Sequence, residues 1–132
     1  MTQGLRTFLT FQAGQARAAL DLYRRTFGDF ELIAIDVYGP DDVGPVDTVK
    51  VAQFRLGGSD FSCADSPVSH AWDFSPAVSI WVECDDQDEL ERLFAELGRG
   101  GQTFMPLDNY GFSRRFGWVA DRFGVTWQLN LA

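Results

Sequence analysis

Polar and aromatic side chains that could hold a small molecule occur at alternate positions of four short strand-like segments. Side chains at alternate positions of a strand lie on the same face of a sheet, so we predict that these residues share one face. Hydroxyl, amide and aromatic groups together are typical of a surface that binds an organic ligand. The set comprises Phe8, Thr10, Ser62, Ser79, Trp81 and Gln128.

A solvated sheet face would also show polar residues at every second position. The aromatic members of the set favour the binding interpretation, because Phe8 and Trp81 are costly to leave in open water. We therefore predict a concave face that binds a ligand.

Acid–base chemistry has one weak candidate, Glu83. Asp60 and Glu83 fall on the same alternation as the polar set, and two neighbouring carboxylates can bind a hard cation or raise the pKa of one of them. Strand ends in solvent are the favoured interpretation of both positions. We name no other catalytic residue.

Nucleophilic and phosphate-binding motifs are missing from the chain. His70 is the only histidine and lies in a loop-like segment, and no Gly-x-Ser-x-Gly elbow accompanies it. The phosphate-loop sequence Gly-x-x-x-x-Gly-Lys-Ser/Thr is also absent.

A repeated unit must position these residues. The strand-like segment from Thr7 to Phe11 precedes a helical pattern, and Val78 to Val82 precedes another 71 positions later. Gly58 and Gly124 then open similar final strands. Each half reads as strand, helix and three strands, with the first half at about residues 5–65, a connector at 66–76 and the second half at about 77–131.

The other alternation of these strands is almost wholly apolar and is predicted to lie under the two helices. It comprises Leu9, Phe11, Phe61, Cys63, Val78, Ile80, Val82, Val125, Trp127, Leu129 and Leu131. The fold prediction is α+β: two βαβββ modules that form a curved mixed sheet around a cavity, with the helices outside.

Composition excludes several classes of partner. The net charge of −8 argues against nucleic acid and anionic membranes, which require a basic footprint. Cys63 and Cys84 lie in strand-like segments and are predicted to be buried thiols. We find neither a signal peptide nor an apolar stretch that could span a membrane, so we expect a cytoplasmic protein.

The order of elements and several short sequences resemble the vicinal oxygen chelate superfamily, which includes glyoxalases, extradiol dioxygenases and bleomycin-resistance proteins, and within it the PhnB-like branch. The resemblance covers about residues 6–131 and implies a single glyoxalase-like domain over 1–132. It is carried by Phe8-Leu9-Thr10-Phe11, Ala18-Ala19-Leu20-Asp21-Leu22-Tyr23, Phe27-Gly28, Leu93-Phe94, Gly100-Gly101, Met105-Pro106-Leu107 and the segment from Phe116 to Asn130.

The resemblance implies where a divalent metal would bind in metal-dependent members. Those positions look like Phe8, Ser62, Ser79 and Gln128, of which only Gln128 offers a strong ligand atom. We therefore predict no metal and no other cofactor. If the assumed register of these strand positions is wrong by one or two residues, binding of a divalent metal becomes possible again.

PhnB-like proteins have carried a methyltransferase label, which the sequence does not support. A methyl-donor fold places a glycine-rich turn between a strand and the following helix, whereas Gly98-Arg99-Gly100-Gly101 follows a helix. Methyl transfer is not expected.

Two hypotheses remain. The first is a protein that binds an aromatic or amphipathic ligand without chemistry, using the polar and aromatic set together with rim residues Tyr110, Phe112, Arg115 and Trp118. The second is a metal-dependent lyase, isomerase or dioxygenase of glyoxalase type that acts on a small oxygenated substrate. The missing ligand set favours the first. The resemblance also implies a homodimer.

Overall fold

The computed structural model describes all 132 residues, and the chain divides into two compact units, Met1–Ala71 and Trp72–Ala132. The first unit contains β1 (Thr7–Phe11), α1 (Ala16–Thr26), β2 (Glu31–Val37), β3 (Val49–Leu56) and β4 (Ser59–Asp65). The second contains β5 (Ile80–Glu83), α2 (Gln87–Gly98), β6 (Gln102–Asp108), β7 (Arg115–Ala120) and β8 (Thr126–Leu131). The predicted βαβββ order is confirmed in both.

Each unit has one four-stranded mixed sheet, and the two sheets have the same topology. The strand orders are β1-β4-β3-β2 and β5-β8-β7-β6. The first and last strands of each unit pair in parallel, while the other neighbours pair antiparallel. A parallel pair needs a long crossover connection, and in each unit the intervening helix and hairpin strands provide it.

The start of α1 is fixed by the side chain of Asp65, the last residue of β4. One carboxylate oxygen of Asp65 accepts a hydrogen bond from the Ala16 backbone N–H at 2.9 Å, and the other accepts one from Val49 N–H at 2.9 Å. Asp65 is buried, so these bonds are shielded from water. The carboxylate thereby joins the ends of three elements.

The start of α2 uses a local cap instead. The Asp86 side chain accepts a hydrogen bond from Glu89 N–H at 2.9 Å, which satisfies one of the helix's free donors. Leu90, Leu93 and Leu97 recur at helical spacing and are buried. With 11 and 12 residues, α1 and α2 are both too short to span a membrane.

The apolar alternation predicted from the sequence forms the core except around β5, where Ile80 and Val82 are only half-buried and Val78 lies outside the strand. Leu9, Phe11 and Leu129 are buried, as are both cysteines, whose thiols are free as predicted. The prediction for Val78 was wrong: its side chain is 78% exposed. Pro76 and Ala77 form a turn and Val78 forms a bend, so β5 begins only at Ile80, later than the sequence predicted.

The turn between β7 and β8 is organised by a buried carboxylate. Asp121 accepts hydrogen bonds from Phe123 N–H at 2.9 Å, from Val125 N–H at 3.2 Å and from the Trp127 indole N–H at 3.0 Å. Gly124 adopts φ +96°, a left-handed conformation that favours glycine. The Asp-x-Phe-Gly-x-x-Trp sequence is therefore a structural turn that aligns β8 with β7.

The segment Gly98-Arg99-Gly100-Gly101 joins the end of α2 to β6, as the sequence predicted. Gly101 lies directly against the backbone of the neighbouring strand end: a Cβ atom there would overlap the Ala120 carbonyl oxygen and lie 2.8 Å from the Asp121 carbonyl carbon. This glycine is required for packing.

We predict that Gly101→Ala destabilises the protein by about 2 kcal/mol or more, because the backbone near Ala120 must move to admit the methyl group. Urea unfolding followed by circular dichroism would measure the change. Gly28→Ala is the control, since no atom lies within 4 Å of a Cβ there. Equal midpoints for the two variants would contradict the close approach.

Candidate functional site

The side of each sheet opposite its helix, which we call the distal face, carries the polar and aromatic set. In the first unit, one row across the sheet runs from Phe8 on β1 through Ser62 on β4 and Gln53 on β3 to Ala34 on β2. Phe8 is 52% exposed, whereas Ser62 is buried. The row thus places an exposed aromatic ring beside a hydroxyl and an amide.

Other distal-face positions of the first unit are already paired. Arg55 binds Asp60 at 3.0 Å and Glu31 at 3.4 Å, forming an exposed three-strand ion-pair row. Thr10 is half-buried and lies opposite Ala64 in the register of β1 and β4. Asp60 therefore serves as an ion-pair partner of Arg55.

The distal face of the second unit carries two rows across the whole sheet. One runs from Trp81 on β5 through Gln128 on β8 and Trp118 on β7 to Met105 on β6. The next runs in the same strand order through Glu83, Asn130, Phe116 and Asp108. Aromatic, amide and carboxylate groups alternate along these rows.

The strand registers change one residue of the equivalence that the sequence repeat indicated, from Ser79 to Trp81. Phe8 lies opposite Ser62 in the first unit, and the repeat equates Ser62 with Gln128. The residue opposite Gln128 is Trp81, two residues after the Ser79 that the sequence repeat indicates. Ser79 precedes β5 and its hydroxyl contacts that of Thr126 at 2.7 Å. The equivalent positions are thus Phe8, Ser62, Trp81 and Gln128.

Glu83 is held as a carboxylate by two neighbours. The Trp81 indole N–H donates to its Oε1 at 2.6 Å, and the Asn130 amide donates to its Oε2 at 3.1 Å. These hydrogen bonds, that of Trp81 first, lower the pKa of Glu83. A proton donor requires a raised pKa, so this environment favours a binding group over a general acid.

Two buried polar atoms on this face have no partner. Asn130 is 6% exposed, and while its Nδ2 faces Glu83, its Oδ1 accepts no hydrogen bond. The indole Nε1 of Trp118 is likewise buried without an acceptor. Buried polar atoms are normally satisfied, and exceptions cluster where a ligand or water completes the set.

Aromatic rings surround Phe116, which is itself buried. Trp81 lies 5.6 Å from it between ring centroids, Phe112 lies 5.1 Å away edge-on, and Tyr110 lies 6.0 Å away edge-on. The Tyr110 hydroxyl donates to the Pro106 carbonyl at 2.6 Å, which fixes the loop that carries the ring. We call Trp81, Tyr110, Phe112 and Phe116 the aromatic cluster.

Arg115 lies apart from the other predicted site residues. It pairs with Leu131 on the helix-facing alternation, and its guanidinium binds Glu91 of α2 at 2.9 Å. Sequence reasoning missed Asn130 and Phe116. Both share the alternation of residues that were named, Gln128 and Trp118, so continuing each strand by one further alternate position would have found them.

The groups needed for metal or thiol chemistry are not assembled. No group of three or more His, Cys, Asp and Glu side chains is placed to hold a metal ion. The residues Phe8, Ser62, Trp81 and Gln128 also do not fit a divalent ion, because the replacement of Ser79 by Trp81 removes an oxygen. The only histidine of the chain, His70, has its Nε2 atom 2.7 Å from the Ser66 hydroxyl. Burial raises the pKa of both Cys63 and Cys84 to about 12, so neither is a nucleophile.

The two βαβββ units define an α+β protein of the glyoxalase-like class, the fold of the vicinal oxygen chelate superfamily. The same fold occurs in the fosfomycin resistance protein FosX from Listeria monocytogenes, whose structure contains Mn(II) and 1S,2S-dihydroxypropylphosphonic acid. That chain is 12% identical, with a TM-score of 0.67 over 98% of this chain and 93% of FosX. At this identity the likeness concerns the fold alone.

The chain belongs to the 3-demethylubiquinone-9 3-methyltransferase family, whose model matches residues 3–130, and to the PhnB-like branch of the vicinal oxygen chelate superfamily. A structure described as a putative 3-demethylubiquinone-9 3-methyltransferase, PhnB protein, from Bacillus cereus is 41% identical, with a TM-score of 0.93 and coverage of 98% of this chain and 100% of that one. Protein YjdN from Escherichia coli strain K12 is 28% identical over 113 residues, 83% of this chain and 76% of YjdN.

We predict that Trp81→Phe raises the pKa of Glu83, because the substitution removes the hydrogen bond that contributes most to lowering it. A carbon-detected NMR titration of the side-chain carboxyl groups would measure the change. Glu91 is the internal control, since its pKa is lowered by Gln87 and Arg115 and should not move. An unchanged Glu83 titration would contradict the indole contact.

Proposed function

We propose that this protein binds a small aromatic or amphipathic organic molecule on its distal sheet faces without metal chemistry. The observation that carries the proposal is the aromatic cluster of the second unit, which lies beside the hydrogen-bonded Glu83–Asn130 pair. Stacking groups next to a few fixed polar groups are what organic-ligand sites require.

Exposure of large rings supports the proposal. Trp81 is 48% exposed and Phe112 is 59% exposed, although both lie against the buried ring of Phe116. Covering such rings with a ligand removes apolar surface from water, which contributes about 25 cal/mol per Å². In the first unit, Phe8 offers a similar exposed ring next to Thr10 and Ser62.

The family name describes methyl transfer, but the proposal does not extend to that reaction. A methyl-donor site uses a glycine-rich turn at the start of a helix, and the corresponding glycines here end α2, with Gly101 packed against backbone. The lowered pKa of Glu83 and the raised pKa of both thiols likewise supply no proton donor or nucleophile. Binding without catalysis accounts for these groups.

We predict that Trp81→Ala weakens binding of an aromatic fragment by about tenfold or more, because stacking on the cluster is lost. A ligand-observed NMR screen of simple aromatic fragments would identify binders, and titration of each variant would give the change in Kd. Trp72→Ala is the matched control, since Trp72 is an exposed tryptophan outside the strands.

Unchanged affinity in Trp81→Ala would remove the aromatic cluster from the site.

Titration with nickel, zinc, manganese and magnesium tests separately the proposal that the protein functions without a metal. Tight binding of about one ion per chain would favour a metal-dependent lyase, isomerase or dioxygenase of the kind the superfamily contains.

We also propose that the protein is a cytoplasmic homodimer. Leu32, Ile33 and Ile35 of the edge strand β2 are all exposed, as is Val51 of the neighbouring β3. Exposed apolar residues grouped on an edge strand are typical of a surface that another chain covers. A second copy of this chain would bury them.

Light scattering at micromolar concentration is expected to give twice the chain mass of 14.8 kDa. Ile33→Lys should shift the equilibrium toward the monomer, because it places a charge in the apolar group. Val43→Lys is the control, since Val43 is exposed in the loop between β2 and β3. A monomeric parent protein would overturn the dimer.

A further inference from the structure

We propose that the distal face of the second unit binds an organic cation, with the ammonium group at Glu83 and Asn130 and the apolar body on the aromatic cluster. This inference rests on the proposed ligand-binding function and specifies the chemical class of the ligand. It concerns residues of the second unit only.

The charge of this face is the first argument. The row that contains Glu83 begins and ends with a carboxylate, Glu83 on β5 and Asp108 on β6. Neither this row nor the neighbouring row contains a lysine, arginine or histidine. The nearest basic candidate in the sequence, Arg115, lies on the other side of the sheet, bound to Glu91. Arg114 precedes β7, and its Nε donates to the Ala132 carbonyl. The two rows themselves therefore offer no counterion to an anionic ligand.

The unpartnered oxygen of Asn130 is the second argument. The side chain is almost fully buried, and its amide nitrogen already donates to Glu83, so the orientation leaves Oδ1 in need of a donor. Leaving a buried acceptor without a hydrogen bond is unfavourable. Because Oδ1 itself has almost no exposed surface, the amide must turn outward before one ammonium group, with up to three N–H donors, can bond Oδ1 and the Glu83 carboxylate together.

The ring of Trp81 is the third argument. Its indole N–H donates to Glu83, which fixes the edge of the ring toward the carboxylate and leaves the ring half-exposed. A cation beside a tryptophan face is attracted by the ring's negative quadrupole, and Trp is the strongest of the aromatic side chains in this respect. The same residue therefore orients the carboxylate and contacts the cation.

A metal ion fits these groups less well than an organic cation. Calcium takes six to eight oxygen ligands and magnesium needs near-octahedral oxygen geometry, whereas Glu83 and Asn130 provide one carboxylate and one amide beside apolar rings. The rings would instead cover the hydrocarbon part of an organic amine.

The test uses three probes of similar shape and different charge on the whole protein: 2-phenylethylamine, 2-phenylethanol and 3-phenylpropionate. Chemical-shift titration of the tryptophan indole signals at neutral pH gives each affinity. We expect the amine to bind about tenfold more tightly than the alcohol, and the carboxylate more weakly than either. Added salt should weaken the amine alone.

Two variants of equal charge change locate the effect. Glu83→Gln should weaken amine binding about tenfold and leave alcohol binding nearly unchanged. Glu96→Gln removes a carboxylate of α2 that pairs with Arg99 and should change neither. Urea unfolding of both variants checks that each is folded.

The outcomes separate this inference from the proposed function. Equal or tighter binding of the alcohol or the carboxylate at the aromatic cluster would overturn the cation inference and leave ligand binding in place. Equal weakening of amine binding by Glu83→Gln and Glu96→Gln would also overturn it, since net charge would then explain the preference. No binding of any probe would count against both.

Discussion

The parallel pairing of the first and last strands determines the rest of each unit. Strand β1 lies parallel to β4, and β5 lies parallel to β8. The chain between the two strands of each pair must therefore return to the end of the sheet at which the first strand began, and the helix and the two intervening strands make that connection. The helix covers one side of the sheet, where Leu9, Phe61 and Leu129 are buried. The opposite side is left with an aromatic residue of the first strand next to a polar residue of the last.

Two buried carboxylates support this pairing in different ways. In the first unit Asp65 binds the backbone at the starts of α1 and β3, so that the end of β4 holds three elements. In the second unit Asp121 holds the turn before β8 and the indole of Trp127. The units share a topology but not the device that stabilises it. The side chains that these strands carry on the distal face are therefore positioned by backbone hydrogen bonds, whereas Tyr110 and Phe112 lie in the loop between β6 and β7.

Much of the architecture followed from the sequence because it is encoded locally. Alternation gave the two sides of the sheets, and helical spacing gave the buried leucines of α2. Strand register is not encoded in this way, since it depends on backbone pairing between segments far apart in the chain. For that reason the sequence repeat matched Ser79 to Phe8, whereas the strand register places Trp81 opposite Gln128. Arg115 could not be assigned to a side until its pairing with Leu131 and its contact with Glu91 were known. Asn130 as a partner of Glu83 was hidden for the same reason, because the two residues meet across β5 and β8.

The two-residue offset of β5 has a consequence for how this chain can vary. Side chains on a strand alternate with a period of two, so sliding β5 along β8 by two residues returns the same side chains to the same side of the sheet. A slide of one residue would carry Trp81 and Glu83 into the apolar core and expose Ile80 and Val82. Insertions and deletions that shift β5 against β8 should therefore be tolerated in even numbers and eliminated in odd ones. The two halves of the chain can therefore differ in length by whole pleats without turning a side chain to the other side of the sheet.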